Sequence, residues 1–297
     1  MVGFTDTQES GAGSRGRTVN KRLMRLSVLA AGIGAAGLVL ATPGSAFAAT
    51  PATVKLTFSD TFGAGISYNG GTGNASNLRI VREGAKIAVT DVVPITASAG
   101  CVSVTPTKAL CDQSVNARPT RGLSIRLGDL GDRVSVEGRF FGNVFGEAGN
   151  DFMLAGQKDC CGDSQIIYNG GPDFDTVSYE RAVLPVAVTK DDLNNDGLIN
   201  SFGTASGDNI RDDVEAVIGS EFADKLTGDE KFDSFFGRGG ADTINPGTAS
   251  DRVFGEAGDD ILLVKDGTDD IVNGGSGTDT ATVDRVIDAL TSVEITK

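Results

Sequence analysis

Aspartate recurs at every ninth residue near the C-terminal end of the chain. Six aspartates hold this spacing without interruption: Asp224, Asp233, Asp242, Asp251, Asp260 and Asp269. Each lies at the sixth position of a nonapeptide that approximates GGxGxDxUx, where U is a large apolar residue. Carboxylate oxygens are the ligands that hard cations such as Ca²⁺ take in proteins. Spacing this regular predicts a row of equivalent cation sites.

Further copies of the nonapeptide flank this run. After one extra residue, Gly274–Thr282 adds Asp279 at the sixth position. Two earlier copies, Gly146–Leu154 and Gly170–Ser178, supply Asp151 and Asp175, and a weaker copy around Gly128–Val136 contains Asp132. The chain therefore carries two groups of repeats, separated by about 40 residues of different sequence.

Each part of the nonapeptide has a physical purpose. Glycine permits positive φ, so the first half of the unit can form a tight loop whose carbonyls point inward. The xUx tail is a short strand with one apolar residue facing the interior. One unit cannot bury that residue alone, so the copies must stack. The pattern predicts an all-β solenoid.

These residues resemble the haemolysin-type calcium-binding family, also called RTX or repeats-in-toxin. The resemblance implies a parallel β-roll with two nonapeptides per turn and with Ca²⁺ as the bound cofactor. It implies that ions lie between stacked loops, held by aspartates and by loop carbonyls of units two apart. In the units that begin at 237 and 255, the implied loop ligands are Gly237, Gly239, Ala241, Gly255, Ala257 and Asp259.

The two sides of such a roll differ in glycine content. Units that begin at 219, 237, 255 and 274 all start with glycine, whereas the alternate units start with Gly228, Pro246 and Val264. We therefore expect ions mainly on the side of Asp224, Asp242, Asp260 and Asp279. The opposite side is expected to be partly metal-free, with Lys231 standing in as a charge.

The first 48 residues are typical of an export signal. A basic segment that ends at Arg25 precedes an apolar run from Leu26 to Leu40, and Ala46-Phe47-Ala48 matches a cleavage site. The run is short for a membrane span, so we expect no stable membrane insertion. The predicted location is secreted, or extracellular. Removal of the leader makes the chain, whose formal charge is −14, still more acidic.

Four cysteines remain after the leader, which favours disulfides in an exported protein. Cys101 and Cys111 flank a plausible hairpin and are the preferred pair. Cys160 and Cys161 are adjacent, so they would form a strained vicinal bond or bond elsewhere.

The region before the repeats is predicted to be a β-rich cap. Short strands are expected at Val54–Phe58, Ile66–Tyr68, Leu78–Val81 and Ile87–Val89. The predicted organisation is a leader (1–48), an N-terminal β-rich region (49–126), first repeats (127–178), an insertion (179–218) and the main β-roll with a C-terminal cap (219–297).

Composition excludes several functions. The chain has no histidine, so it has no Ser-His-Asp machinery and no His-liganded zinc. Its acidity disfavours nucleic acid as a partner. We predict that the protein is not an enzyme. Alternatives are an adhesion protein with a cell-surface or glycan partner and, less favoured, a secreted polysaccharide lyase or epimerase. The phenylalanines, among them Phe235 and Phe236, are interpreted as packing residues.

One further segment imitates a calcium loop. Asp192–Asn200 matches the start of an EF-hand, but the twelfth position is Gly203, not the bidentate acid that such a loop requires. A solvated turn is the preferred interpretation.

Overall fold

The computed structural model describes residues 49–59, 63–115, 118–155, 164–200, 203–284 and 287–297. The predicted leader, Cys160 and Cys161 lie outside these residues. Within them the regular structure is entirely β, as the repeat pattern predicts. None of these residues belongs to a helix long and apolar enough to cross a membrane.

Eight strands lie in the predicted N-terminal β-rich region, before the first predicted repeat. The four predicted short strands fall inside the first four, which confirms them. The bounds are β1 Ala52–Ser59, β2 Gly63–Asn69, β3 Asn77–Glu83, β4 Lys86–Thr90, β5 Ile95–Ser98, β6 Cys101–Thr105, β7 Lys108–Asp112 and β8 Ser114–Val115.

Ten strands follow through the first repeats and the insertion. Their bounds are β9 Arg118–Gly128, β10 Arg133–Glu137, β11 Phe141–Glu147, β12 Phe152–Leu154, β13 Gln165–Asn169, β14 Thr176–Ser178, β15 Val186–Thr189, β16 Gly197–Leu198, β17 Asn209–Ile210 and β18 Ala216–Ile218.

Nine strands form the C-terminal repeats and the end of the chain. Six-residue strands alternate there with three-residue strands. The bounds are β19 Lys225–Thr227, β20 Ser234–Gly239, β21 Thr243–Asn245, β22 Arg252–Ala257, β23 Ile261–Leu263, β24 Ile271–Ser276, β25 Thr280–Thr282, β26 Ala289–Thr291 and β27 Ile295–Thr296.

The strands form three sheets, and the chain winds between them. A 12-stranded sheet has the order β26-β24-β22-β20-β18-β14-β12-β10-β3-β4-β7-β6. From β9 the chain alternates between this sheet and an eight-stranded sheet of order β17-β13-β11-β9-β2-β1-β5, in which β8 also pairs with β9. From β18 it alternates with a seven-stranded sheet of order β16-β15-β19-β21-β23-β25-β27. Successive coils pair in parallel, which confirms the β-roll.

Apolar residues of successive coils stack in register through the interior. In the 12-stranded sheet the stack is almost wholly buried and consists of Leu78, Val134, Met153, Val177, Val217, Phe235, Val253 and Val272. In the seven-stranded sheet the buried stack is Val188, Leu226, Ile244, Leu262 and Ala281. Most of these residues are the U positions of the predicted repeats, and the stacks continue beyond the repeats through Leu78, Val188 and Val217. Their burial supplies the main favourable free energy of the roll.

The N-terminal region caps the roll and also contributes its first coil. Strands β3, β4, β7 and β6 are antiparallel neighbours. However, β2 and β3 pair in parallel with β9 and β10, so residues 63–83 already form a coil. On the antiparallel part, Cys101 lies opposite Cys111, and the two form the predicted disulfide.

Candidate metal sites

Each coil has two corners, and the repeat aspartates lie at the ends of these corners. We call a corner entering when it leads into a strand of the 12-stranded sheet, and leaving when it leads out of that sheet. The leaving row holds Asp224, Asp242, Asp260 and Asp279. The entering row holds Asp132, Asp151, Asp175, Asp233, Asp251 and Asp270. All ten side chains are buried.

In the leaving row, each aspartate is tied to the coil before it. The backbone N–H of Asp224 donates to Asp242 Oδ1 at 2.7 Å, and that of Asp242 donates to Asp260 Oδ1 at 2.8 Å. Asp260 donates in the same way to Asp279 at 2.9 Å, and Asp279 donates to Glu294 Oε2 at 2.8 Å. One carboxylate oxygen per coil is therefore used to hold the stack together.

The entering row repeats this arrangement over a greater length of the roll. Its first donor is the backbone N–H of Ser76, which bonds Asp132 Oδ1 at 2.5 Å. The links that follow join Asp132 to Asp151, Asp151 to Asp175, Asp175 to Glu215, Asp233 to Asp251, Asp251 to Asp270 and Asp270 to Asp288. Carboxylates of the two predicted repeat groups thus lie in one row.

The second oxygen of most of these carboxylates has no hydrogen-bond donor. The buried, unpartnered atoms are the Oδ2 atoms of Asp132, Asp151, Asp175, Asp242, Asp251, Asp260, Asp270 and Asp279. A buried carboxylate oxygen without a partner is costly, so one such atom at each successive corner requires an explanation. A cation held between each pair of neighbouring corners would give every one of these oxygens a positively charged partner.

The first glycine of a unit marks the place where these oxygens converge. A Cβ on Gly237 would lie 2.2 Å from Asp242 Oδ2 and 2.7 Å from the carbonyl oxygen of Gly255. A Cβ on Gly255 would lie 2.2 Å from Asp260 Oδ2 and 2.5 Å from the carbonyl oxygen of Gly274. Glycine is required because the corner brings a carboxylate and a carbonyl of the next coil against the backbone. An oxygen-rich cradle of this kind fits Ca²⁺.

The other predicted loop ligands lie in the same corners. Gly239 and Ala257 are register partners at the ends of β20 and β22. Ala241 and Asp259 directly precede Asp242 and Asp260. The Asp259 side chain is exposed, and its Oδ1 accepts the N–H of Thr278 at 2.8 Å. Any contribution of Asp259 to a site would therefore come from its backbone carbonyl.

The predicted register is wrong by one residue at Asp269. Asp269 is exposed, whereas Asp270 is buried and accepts the N–H of Asp251 at 2.8 Å. The apolar position shifts with it, since Val272 is buried and Ile271 is 48% exposed. The extra residue of this repeat lies in the entering corner before β24, not after it. Parallel pairing of β24 with β22 imposes this register.

The same corner contains a cluster of three carboxylates. One oxygen each of Asp251, Asp266 and Asp270 lie within 4.8 Å of one another. The Oδ2 atoms of all three are buried and have no hydrogen-bond partner. Asp266 lies in the segment between β23 and β24, where the chain is one residue longer than in a coil of two nonapeptides. Sequence reasoning missed Asp266, because the nonapeptide reserves no acidic residue there.

The prediction that ions lie mainly on the side of Asp224, Asp242, Asp260 and Asp279 stays a prediction, and the unpartnered carboxylate oxygens do not separate the two rows. Unpartnered Oδ2 atoms occur in the entering row as well as in the leaving row. Lys231 does not stand in as a charge there, because its side chain is 58% exposed and pairs with Asp212 at 2.7 Å. The buried ammonium beside Asp233 belongs to Lys190.

Two predicted ligands have all their oxygens engaged. Asp224 Oδ1 accepts the N–H of Val186 at 2.7 Å and the Ser220 hydroxyl at 2.8 Å, while Oδ2 accepts the N–H of Ser220 at 2.5 Å. Asp233 accepts Lys190 Nζ and the N–H of Asp229. Asp224 is the first aspartate of the leaving row, and Asp233 is the first entering-row aspartate of the C-terminal repeats.

Burial strongly perturbs the carboxyl groups of both rows. Desolvation is the largest cause, and it raises the pKa of Asp132, Asp175, Asp242 and Asp251 to about 7 each. Neighbouring carboxylates of the same row contribute further to the raised pKa of Asp242 and Asp251. Without a cation, near-neutral pH therefore leaves these groups partly protonated.

Asp192–Asn200 forms a hydrogen-bonded turn. Asp196 is buried, and its carboxylate accepts the N–H groups of Thr189 at 2.7 Å and Ile210 at 2.8 Å. Asp192 pairs instead with Arg211 at 3.2 Å. Asp196 thus ties the insertion to strands of the roll, and the segment is a turn that is solvated at residues 192–195 but buried at Asp196.

Sequence reasoning also missed the first repeat and the terminal residues of the rows. Gly70-Gly71-Thr72-Gly73 leads into Ser76, which takes the place of the aspartate and precedes the buried Leu78 by two residues. The glycines were a usable signal. Glu215, Asp288 and Glu294 carried none, because they lie outside recognisable nonapeptides.

Comparison with known families agrees with this geometry. The model of the RTX calcium-binding nonapeptide repeat, which comprises four copies, matches residues 218–252 and 247–281. A search of curated proteins found no match to the chain. The matched residues contain the leaving row and the C-terminal half of the entering row. Residues 218–281 of this β-roll are therefore RTX calcium-binding nonapeptide repeats.

Proposed function

We propose that this protein is a secreted, non-enzymatic calcium-binding protein whose β-roll is stabilised by Ca²⁺. The observation that carries the proposal is the series of buried Oδ2 atoms that lack a donor in both rows. Calcium supplies the positive charge that a stack of carboxylates lacks. The leader-like residues 1–48 and the acidity of the chain support an extracellular setting, where calcium is abundant.

The residues of one corner illustrate how the ion would be held. Asp242 offers Oδ2, and the carbonyl of Gly255 points to the same place above Gly237. The Oδ1 atom of Asp242 remains bonded to the coil before it. The carboxylate therefore serves two purposes, since one oxygen fixes the register and the other faces the cation.

Calorimetric titration of the purified chain with CaCl₂ tests calcium binding. We expect several ions per chain with dissociation constants on the order of 10⁻⁴–10⁻³ M, as for extracellular calcium modules. Circular dichroism in EGTA and in 5 mM Ca²⁺, about fivefold or more above these constants, tests the stabilising role. No heat of binding at millimolar Ca²⁺, or an equally stable protein in EGTA, would contradict the proposal.

Expression in a bacterial host tests the proposed location. We expect the chain outside the cytoplasm, with a new N-terminus at Ala49 after cleavage at Ala48. A variant without residues 1–48 is the matched control and should stay inside the cell. Equal export of both chains would contradict the secretory role of the leader.

A second candidate function is adhesion to a cell surface or glycan. It is favoured by an aromatic groove on the outer face of the 12-stranded sheet, where Phe236 and Phe254 stack with centroids 5.0 Å apart and Phe174 is 38% exposed. The sequence favours core and edge packing for the phenylalanines, and Phe235 is fully buried, whereas Phe236 and Phe254 line this groove. Glycan-array binding by wild type and not by F236A/F254A would support adhesion. No binding by either would argue against it.

A further inference from the structure

Of the lysines that the structure describes, Lys190 is the one that is buried. Its side chain is 1% exposed, and Nζ donates to Asp233 Oδ1. Asp229 Oδ2 lies 3.2 Å from the same nitrogen and pairs with it by charge, although this oxygen accepts no hydrogen bond from the described residues. Burial of an ammonium group is tolerated only when carboxylates pair with it closely. Lys190 is therefore a fixed component of this corner.

Strand register places Lys190 where the next coil has glycine. Thr189 at the end of β15 pairs with Thr227 at the end of β19, so Lys190 lies beside Gly228. The N–H of Lys190 donates to the carbonyl of Thr227 at 3.1 Å, just as the N–H of Gly228 donates to that of Asn245 at 2.8 Å. By register, Lys190 is therefore equivalent to Gly228 at the first position of an entering corner, although the chain continues from Lys190 through the rest of the insertion to β16. In the corner of Asp233, a Cβ on Gly228 would lie 2.4 Å from Asp233 Oδ2 and 1.9 Å from the carbonyl oxygen of Pro246.

The carboxylate facing Lys190 differs from its neighbours in the row. Asp251 and Asp270 each keep a buried Oδ2 without a donor. In Asp233, Oδ1 accepts Lys190 Nζ and Oδ2 accepts the N–H of Asp229 at 3.2 Å. The positive charge that the other corners need from outside is already present here.

We infer that Lys190 is a built-in cation that replaces a calcium ion at the corner of Asp229 and Asp233. This inference rests on the proposed calcium binding of the other corners. It makes the junction between the insertion and the C-terminal repeats independent of calcium. It also removes Asp233 from the predicted calcium ligands.

The test is K190A, which removes the ammonium and vacates the space that it fills, together with K190M, which removes the charge alone. The number of ions per chain is measured by equilibrium dialysis with ⁴⁵Ca, and the melting temperature is measured in EGTA and in Ca²⁺. We expect K190A to bind one more ion than wild type. Both variants should melt lower than wild type in EGTA, and Ca²⁺ should restore most of the loss in K190A. An unchanged ion count in K190A would overturn the inference.

Lys231 provides a matched control. It also lies in an entering corner and pairs with a carboxylate, but both side chains are more than half exposed. We expect K231A to leave the ion count and the melting temperature in EGTA close to those of wild type. If K231A and K190A behaved alike, a general charge effect would explain the result and the inference would be wrong.

A further variant covers the case in which K190A does not fold without calcium. In K190A/D233N the unpaired carboxylate is neutralised, so we expect the double variant to melt higher than K190A in EGTA and to bind the wild-type number of ions. A double variant no more stable than K190A would contradict the pairing. Wild-type protein that binds no calcium would instead contradict the proposed function, because the EGTA comparison involves no calcium.

Discussion

The N-terminal and C-terminal coils contain the same type of corner, but at opposite ends of the strands of the 12-stranded sheet. In the N-terminal coils, positive φ occurs at Glu147 (72°) and Gly149 (113°), in an entering corner. In the C-terminal coils the same pair of angles occurs at Arg238 (76°) and Gly240 (107°), in a leaving corner. The insertion at 179–218 lies between the two arrangements.

The N-terminal and C-terminal coils also differ in length. Linked aspartates are 19 and 24 residues apart at Asp132–Asp151 and Asp151–Asp175, whereas those of the C-terminal repeats are 18 apart, or 19 where the extra residue intervenes. The C-terminal coils consist of two nonapeptides each, and the N-terminal coils of one nonapeptide and an irregular remainder. A carboxylate row needs only that corners stack in register. It does not need every corner to be glycine-rich.

The largest expected effect concerns the core that the two regions share. We expect L262A and M153A each to lower the free energy of unfolding by about 2–5 kcal/mol, because each leaves a cavity in a stack of buried side chains. I261A, next to Leu262 but 46% exposed, should cost less than about 0.5 kcal/mol. Thermal melts in Ca²⁺ measure this. A neutral M153A would mean that the N-terminal coils unfold separately.

Substitution of the first glycine of a nonapeptide tests whether entering and leaving corners are equivalent. We expect G146A and G255A each to cost about 1–3 kcal/mol, because the added methyl group meets a carboxylate and a backbone carbonyl. G239A is the control, since its Cβ would lie 3.0 Å from the flexible end of Glu221 and no closer than ordinary van der Waals contact, 3.5 Å, to backbone atoms. Urea denaturation in Ca²⁺ measures the three. A large loss of unfolding free energy in G255A but not in G146A would show that leaving and entering corners differ.

The pH dependence of the calcium-free protein is the third test. The pKa of Asp132 in the N-terminal coils and of Asp242 in the C-terminal coils is raised to about 7, mainly by burial. The folded state therefore binds protons more tightly than the unfolded chain, whose aspartates titrate near 4. This stabilisation is fully present below about pH 4 and is lost as the pH rises through about 7.

We accordingly expect the melting temperature in EGTA to fall between pH 5 and pH 8. Saturating Ca²⁺ should flatten this dependence, because the bound ion favours the ionised carboxylates. Differential scanning calorimetry at four pH values in each condition measures both. A melting temperature in EGTA that rises with pH would show that the carboxylates are not held as described.

The smallest expected effect concerns a single corner. We expect D266N to weaken one calcium site on the order of tenfold, because ligand charge sets the affinity of such sites. D269N is the matched control, since Asp269 is exposed and bonds only Ser250 at 2.7 Å among its described contacts. Calorimetric titration compares them. Equal loss in both variants would contradict the assignment of Asp266.

Much of the fold was predictable because the repeat is local. Within one nonapeptide Asp242 precedes the buried Ile244 by two residues, and the stacking partner Asp260 lies 18 residues, or two nonapeptides, further along the chain. A regular period of this kind also indicates the parallel pairing. The hairpin of Cys101 and Cys111 was predictable for the same reason, since the two residues are only ten positions apart.

The sequence by itself determined the coil, the apolar stack and the aspartate spacing, because each depends on residues within one or two nonapeptides. Only the tertiary structure decided that Asp270 replaces Asp269 in its row, that Glu215 joins Asp175, and that Lys190 pairs with Asp233 across 43 positions. These contacts depend on which corners of distant coils come to lie side by side. That outcome depends on the lengths of the irregular segments between repeats, and no periodic pattern encodes them.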